Sequence, residues 1–352
     1  MKNLFSKIIP SNFTNLIGLA KKLIRSKNPA GRAAMFYSFL GLLMIPIDWF
    51  LQFFEKKLYL KSSKPELPLI FVCGPPRSGT TLVAQVLIKH LPVYYFNNLT
   101  SIFPNSPIIS NKIAKRFLKN GNQSVSFKSL YGRTTKLKAP NDALYLWDRW
   151  TKTDRKSIPH AISQEDKIKM ELFFGAVEKF SGLPLVNKNN KLNTFADKVA
   201  EILDTAYFIC LDRDPVYLAQ SELIASRFIH DDDKIPYGVL FNTADESKGE
   251  SLDPIKQVCN QVLRHKEVML QQENQIGKER FIIVSYEDFC ADPAKWVCKI
   301  SDKILGQTLD IDTLSNDLPP FQISNNRKLN QEEFNSIENI FKKQYDQNEI
   351  NK

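Results

Sequence analysis

The chain has 352 residues, 43% of them hydrophobic, which is ordinary for a globular protein and enough for one large α/β domain or two small ones. Lys and Arg (48) outnumber Asp and Glu (38), and the resulting net charge of +10 favours anionic partners: phosphorylated cofactors, nucleic acid or an anionic membrane face. Five scattered cysteines without a Cys-x-x-Cys pair, and four histidines without a His-x-x-x-His spacing, speak against a disulfide framework or a transition-metal centre and suit a reducing compartment.

Residues 1–65 differ from the rest. Within 12–27, Phe13, Leu16, Ile17, Ala20, Leu23 and Ile24 share one helical face beside Lys21, Lys22 and Arg25, a basic amphipathic pattern. The apolar run 33–54 that follows exceeds the ~20 residues needed to cross a bilayer. Pro46, Asp48 and Gln52 oppose a span, the carboxylate alone by roughly 2.5–3.5 kcal/mol. Seven basic residues precede the run and four stand in the short segment after it, so a span would put the C-terminal part outside the cytoplasm, against the cysteine usage. No small-residue cleavage site follows, so a secretory signal fits poorly. The expectation is a cytoplasmic protein held at the membrane surface by a helical hairpin in the interface, with core packing and a single-pass span as the alternatives.

From Leu67 onward, short apolar runs alternate with helical patterns. Strands are expected at 67–74, 93–96, 183–188, 206–212 and 280–286. Helices are expected at 80–90, 142–152, 165–180, 194–204, 215–229, 253–275, 293–304 and near 331–343. This alternation implies an α/β fold of three layers with a mostly parallel central sheet, occupying 66–352 behind the N-terminal helical segment 1–65. The stretches 241–251 and 310–320 read as polar surface insertions, and His230-Asp231-Asp232-Asp233-Lys234 as a solvated charge cluster.

The first strand runs into CGPPRSGTTL (73–82), a glycine-rich turn opening a helix. Gly74 and Gly79 have the spacing of a nucleotide-triphosphate loop, yet the lysine position holds Thr80, followed by Thr81, and the basic residue sits inside the loop at Arg77. Amides at the start of the 80–90 helix can still cradle an anion. Lost is the lysine that reaches the γ-phosphate of ATP.

PRSGTTL resembles the 5′-phosphosulfate loop of sulfotransferases that use 3′-phosphoadenosine 5′-phosphosulfate (PAPS). The resemblance implies a second motif, an arginine ending a central strand with a serine eight residues on, both gripping the 3′-phosphate. Arg213 and Ser221 in ICLDRDPVYLAQS match it. A third motif, a tyrosine near the adenine, matches Tyr286 in VSYEDF. Together the three cover roughly residues 67–300 and imply a P-loop-like fold with Arg77, Ser78, Gly79, Thr80, Thr81, Arg213, Ser221 and Tyr286 binding the nucleotide. Arg327 and Lys328 in SNNRKL stand where related enzymes bring basic residues over the 3′-phosphate. The chain is most similar to a bacterial lineage with a membrane-leaning N-terminus ending in a Pro-x-Asp step, here IPIDWF.

The proton acceptor departs from both usual family patterns. Tyrosylprotein sulfotransferases use a glutamate shortly after the first helix, where this chain reads Phe96-Asn97-Asn98, and the small-molecule enzymes use a histidine where it reads NKNNK (187–191). Asp142, opening an aromatic segment, is the favoured catalytic base, with an N-cap as its alternative role and His160 and Glu171 as weaker candidates. Lys188 is expected to help bind the transferring group. The expected activity is sulfuryl transfer from PAPS to a hydroxyl or amine, with a lipid or glycolipid acceptor favoured and no metal required. A strand-end Asp212 or Asp288 keeps a phosphate-transferring enzyme as an alternative, a non-catalytic nucleotide-binding membrane adaptor is another, and nucleic-acid binding rests on charge alone without a motif.

Overall fold

Apolar runs bounded by turns produce a buried parallel sheet. The computed structural model describes residues 16–25, 28–117, 125, 127, 134–153, 157–230, 232–239, 241 and 253–350. LIFVC forms β1 (Leu69–Cys73), buried at every position, as a strand covered on both faces requires. β2 (Tyr94–Tyr95), β3 (Leu185–Lys188), β4 (Ala206–Asp212) and β5 (Phe281–Ser285) complete a five-stranded sheet in the order β2-β3-β1-β4-β5. Every pairing is parallel, with Val72 opposite Lys188, Cys73 opposite Cys210 and Asp212 opposite Ser285. β1 thus lies between strands reached in opposite directions, and the crevice beyond such a switch point is where ligands bind in open parallel sheets.

Helices cover both faces. Phe71, Phe208 and Phe281 pack with Trp147 of α7 (Leu144–Thr151) and with Phe173 and Phe174 of α8 (Gln164–Ser181). On the opposite face Ile70, Val72, Ile209 and Val284 meet α4 (Thr80–His90) and α13 (Pro293–Ile300). Two short helices follow β2: α5 (Asn98–Ile102), whose first amides are capped by the Asn97 side chain, and α6 (Pro107–Phe117). α9 (Ala196–Ala200) follows a 3₁₀ turn at Asn190–Thr194, so the helix expected at 194–204 is split. α10 (Pro215–His230), α11 (Pro254–Ile276), α12 (Tyr286–Ala291), α14 (Ile311–Asp317) and α15 (Gln331–Ile350) follow. Two expectations are corrected here. Residues 311–317 form a helix capped by Asp310, and Leu318 is buried against the α4 side of the sheet. His230 ends α10 as a buried residue instead of joining a solvated charge cluster. Of the loop at 241–251, residues 242–250 and 251 lie outside the described residues.

Among its described residues the N-terminal segment forms three helices: α1 (Leu16–Arg25), α2 (Pro29–Leu43) and α3 (Ile45–Tyr59). α1 turns Leu19 and Leu23 onto Ile229 of α10. Pro46 has no N–H to donate and crowds the preceding turn, so the apolar run 33–54 breaks at Met44 with a bend of 73°. Among the described residues no single helix is long and apolar enough to cross a membrane. α3 is keyed into the α5–α6 region by its two acids. The Asp48 carboxylate accepts from the Asn105 amide and side chain and from Ser106 Oγ. Glu55 accepts from the Ile108 and Ile109 amides, 3.0 and 2.8 Å away, and so caps α6 from outside. Burial pushes both carboxyls above their ordinary range, and these hydrogen bonds oppose the rise.

Candidate active site

The loop between β1 and α4 is shaped by three residues with positive φ, Gly74, Arg77 and Gly79. At Gly79 (φ 95°) an added Cβ would lie 2.4 Å from the Tyr286 ring, so glycine lets the aromatic ring press on the loop. Arg77 holds φ 71°, which costs a non-glycine residue of order 1–2 kcal/mol. Two hydrogen bonds hold it there: Arg77 Nε donates to Ser221 Oγ (3.1 Å), and its carbonyl accepts from Arg213 Nη1 (2.8 Å). The loop arginine, the β4-end arginine and the serine eight residues on therefore form one connected group. Ser78 is turned the other way; it is buried, and both its hydroxyl (2.7 Å) and its backbone N–H (3.2 Å) donate to the Pro75 carbonyl. Thr80 Oγ1 donates to Asn190 Oδ1, and Asn190 Nδ2 to the Pro75 carbonyl, tying the loop to the β3 exit.

Arg213 is 8% exposed, and burial draws its guanidinium below the usual arginine range. Its Nη2 donates to the Ser324 carbonyl (2.6 Å) and Asn325 Oδ1 (3.1 Å), and its guanidinium lies 4.8 Å from the Tyr286 ring centre. The segment carrying Ser324 is strapped down by Gln220 of α10, whose Nε2 donates to the Asn326 carbonyl and whose Oε1 accepts from the Lys328 and Leu329 amides. Lys328 reaches the cavity, whereas Arg327 is exposed outside it. Asp214 Oδ1 accepts from the Val216 and Tyr217 amides, so the same turn caps α10.

Asp142 and Lys188 form an ion pair at 2.6 Å. Their meeting follows from a buried tie: Trp147 Nε1 donates to Asn187 Oδ1 and Asn187 Nδ2 to the Asp142 carbonyl, which fixes the start of α7 against the end of β3. The N-cap position of α7 is Ala143, without a side-chain cap, and Asn141 Oδ1 accepts from the Ala143 amide, so Asp142 is not the helix cap. Asn98, in the stretch where the tyrosylprotein enzymes were expected to carry a carboxylate, is buried and saturated by Thr134, Lys136 and Asn141. His160 is exposed and Glu171 pairs with Lys64 on α8; neither reaches the cavity.

One cavity of about 500 Å³, within the range of small-molecule sites, is lined by Arg77, Gly79, Thr80, Thr81, Asp142, Lys188, Arg213, Ser221, Tyr286 and Lys328. Lys191 adds a further cation, and Asp148 is the second lining carboxylate. The surplus of cations suits a ligand with several negative charges. Beside the cations, Tyr37, Leu144, Ile229 and Val239 add apolar surface to the lining.

One lining residue had no place among the expected site residues. His265 of α11 is buried, and its Nε2 has no hydrogen-bond partner among the described residues. Cys210 Sγ donates to Asn193 Oδ1, which turns Asn193 Nδ2 toward His265 Nδ1 at 3.4 Å. In that arrangement Nδ1 accepts and Nε2 carries the hydrogen. Burial pushes the imidazole down to about 3, so it stays neutral at ordinary pH. The sequence signal was its position in the buried stripe Val258, Val262, His265, Met269 of α11.

Parallel strands ending on a glycine-containing loop that opens a helix, with a second arginine at the neighbouring strand end, define a P-loop-like α/β fold. Residues 68–306 match the sulfotransferase family, and the chain belongs to that family. It is 26% identical over 268 residues to protein-tyrosine sulfotransferase of Drosophila melanogaster, an alignment covering 73% of this chain and 41% of that protein. The chain thus matches less than half the length of that curated relative. Its fold is similar to that of sulfotransferase STF9 from Mycobacterium avium, with a TM-score of 0.54, 13% identity and coverage of 97% and 95% of the two chains.

Proposed function

We propose that the protein transfers the sulfuryl group of PAPS to a hydroxyl, or an amine, of an acceptor with substantial apolar surface. The observation that carries this reading is the connected group of Arg77, Arg213 and Ser221, which links the loop suited to a 5′-phosphosulfate with the pair suited to a 3′-phosphate. ATP has no 3′-phosphate, so a second cationic grip at the β4 end favours PAPS as donor.

In this mechanism the acceptor oxygen attacks sulfur in line, an S–O bond forms, and the S–O bond to the 5′-phosphate breaks. Adenosine 3′,5′-bisphosphate departs with the electron pair. Loop amides, Arg77, Thr80 and Thr81 stabilise the charge growing on the leaving phosphate. Lys188 holds the transferring group, and its partner Asp142 takes the acceptor's proton. His265 offers a neutral N–H to a polar atom of the bound ligands.

Incubating the full chain with sulfur-labelled PAPS and fractionated cell extract tests the reading. Label is expected in an organic-soluble fraction, in an amount that depends on the protein. Label that stays in the donor across all fractions, with bisphosphate bound tightly, would instead favour a non-catalytic nucleotide-binding protein.

A further inference from the structure

We infer that the bent pair α2–α3 is a docking face for an anionic lipid bilayer, and that it sets one wall of the active-site cavity at the membrane surface. The inference rests on the proposed transfer reaction only for what the cavity receives; the docking face stands on its own residues.

The pair is built inside out compared with a surface hairpin of a soluble protein. Residues 28–61 contain two acids, Asp48 and Glu55, and both are buried and hydrogen-bonded to the catalytic part. The large apolar side chains point the other way: Phe36 and Phe39 on α2, and Trp49, Phe50 and Phe53 on α3, are each 58–70% exposed. Nine of the seventeen large exposed hydrophobic residues among the described ones fall within 36–60, so this face carries apolar surface that the rest of the protein does not.

Charge chooses the occupant. Every exposed charge over residues 28–61 is positive: Arg32, Lys56, Lys57 and Lys61. The Lys57 ammonium lies 4.3 Å from the Phe53 ring centre, a lysine beside the aromatic face it would flank. Aromatic and aliphatic side chains with lysines and arginines at the margin and no exposed acid match a bilayer interface bearing anionic headgroups. The 73° bend and the lack of a single helix long enough to span suit a pair that lies in the interface.

α2 also has a second role. Ala34, Tyr37 and Ser38 line the cavity, while Phe36 and Phe39, on the other side of the helix, are exposed. One helix therefore separates the proposed lipid phase from the cavity. Tyr37 is fixed there by donating to the Thr135 carbonyl at 2.7 Å. The acceptor class that fits is an amphiphile whose polar group enters along α2 while its apolar part remains in the bilayer.

The test uses the full chain, with vesicles of phosphatidylcholine alone or mixed with phosphatidylglycerol. Trp49 is a native probe, because Trp147 and Trp150 are buried and Trp296 is half-buried. The protein is expected to sediment with the mixed vesicles, with Trp49 emission shifting to the blue and quenched by brominated lipid; Trp49→Phe removes that signal. Phe50→Ser with Phe53→Ser should lower vesicle affinity at least about tenfold. Lys56→Glu with Lys57→Glu should weaken binding to the phosphatidylglycerol vesicles. Both pairs are solvent-exposed, and adenosine 3′,5′-bisphosphate affinity and melting temperature, measured on the same samples, should hold. A wild-type chain that ignores both vesicle types, or a serine pair that binds them unchanged, overturns the docking face. So does a serine pair that only dissociates a dimer, which would make the face an interface between two copies. Vesicle binding without bisphosphate binding would sink the donor assignment and leave the docking face standing.

Discussion

Replacing Arg213 by alanine removes the cation assigned to the 3′-phosphate, and the structure sets the size of the effect. Three of its N–H donors are already taken, by the Arg77 and Ser324 carbonyls and by Asn325 Oδ1, which leaves Nε–H and one N–H on Nη1. Nε is buried without a partner among the described residues. Two charge-assisted hydrogen bonds at about 1.5 kcal/mol each amount to about 3 kcal/mol, close to a hundredfold in affinity. Calorimetry should show that loss for adenosine 3′,5′-bisphosphate, while adenosine 5′-monophosphate, lacking the 3′ group, changes by a few-fold at most. A melting curve checks that the freed carbonyls and the Ser324 segment have not collapsed. Equal losses for the two nucleotides in a folded variant would refute the assignment.

Three further outcomes are expected. Asp142→Asn keeps the shape beside Lys188 and should lower turnover at least about a hundredfold with bisphosphate affinity nearly unchanged; an active variant would return Asp142 to a purely structural role. His265 titrates near 3 when folded against about 6.5 when unfolded, so between those values the unfolded chain binds the extra proton and stability falls as pH falls. At pH 5 the loss is about 2 kcal/mol, and His265→Gln should flatten the melting temperature between pH 7 and 5; an identical pH slope in the variant would contradict this. Transfer should persist in excess chelator if the donor is PAPS, whose transferred sulfuryl group bears fewer negative charges than a γ-phosphoryl group, and an absolute magnesium requirement would point back to phosphoryl transfer.

The sheet and the loop were legible because both are written locally. A strand buried on two faces must be apolar throughout, and the Gly74–Gly79 spacing announces a turn that carries no bulk. Arg213 and Ser221 were legible through their offset from a strand end. The pairing of Asp142 with Lys188 was not, because it depends on a buried Trp147–Asn187–Asp142 chain joining segments some forty residues apart in sequence. Either residue of Asn141-Asp142 suits an N-cap by type, yet α7 starts at Ala143 without a side-chain cap and Asn141 Oδ1 only turns back to the Ala143 amide. α14 was read as a polar insertion although Asp310 offers a cap and Leu314 and Leu318 share a stripe; seven residues give too short a period to weigh against so many polar ones. Ser78 and Arg327 show the remaining difficulty, because a motif supplies a position in the chain but not the direction of a side chain.

The contact at Gly175 decides how this protein can be shortened. A Cβ there would fall 1.7 Å from the Ser63 carbonyl, and Ser62 donates to the Leu172 carbonyl beside it. The chain before β1 is therefore laid into α8 as a seam, continuous with the carboxylates that cap α6. Cutting at residue 65 would open that seam and leave the Ile108 and Ile109 amides unanswered, at about 1–3 kcal/mol for each one that stays buried. A soluble form is better sought by recolouring the outer surface of α2 and α3 with polar side chains, position by position, than by taking the helices away.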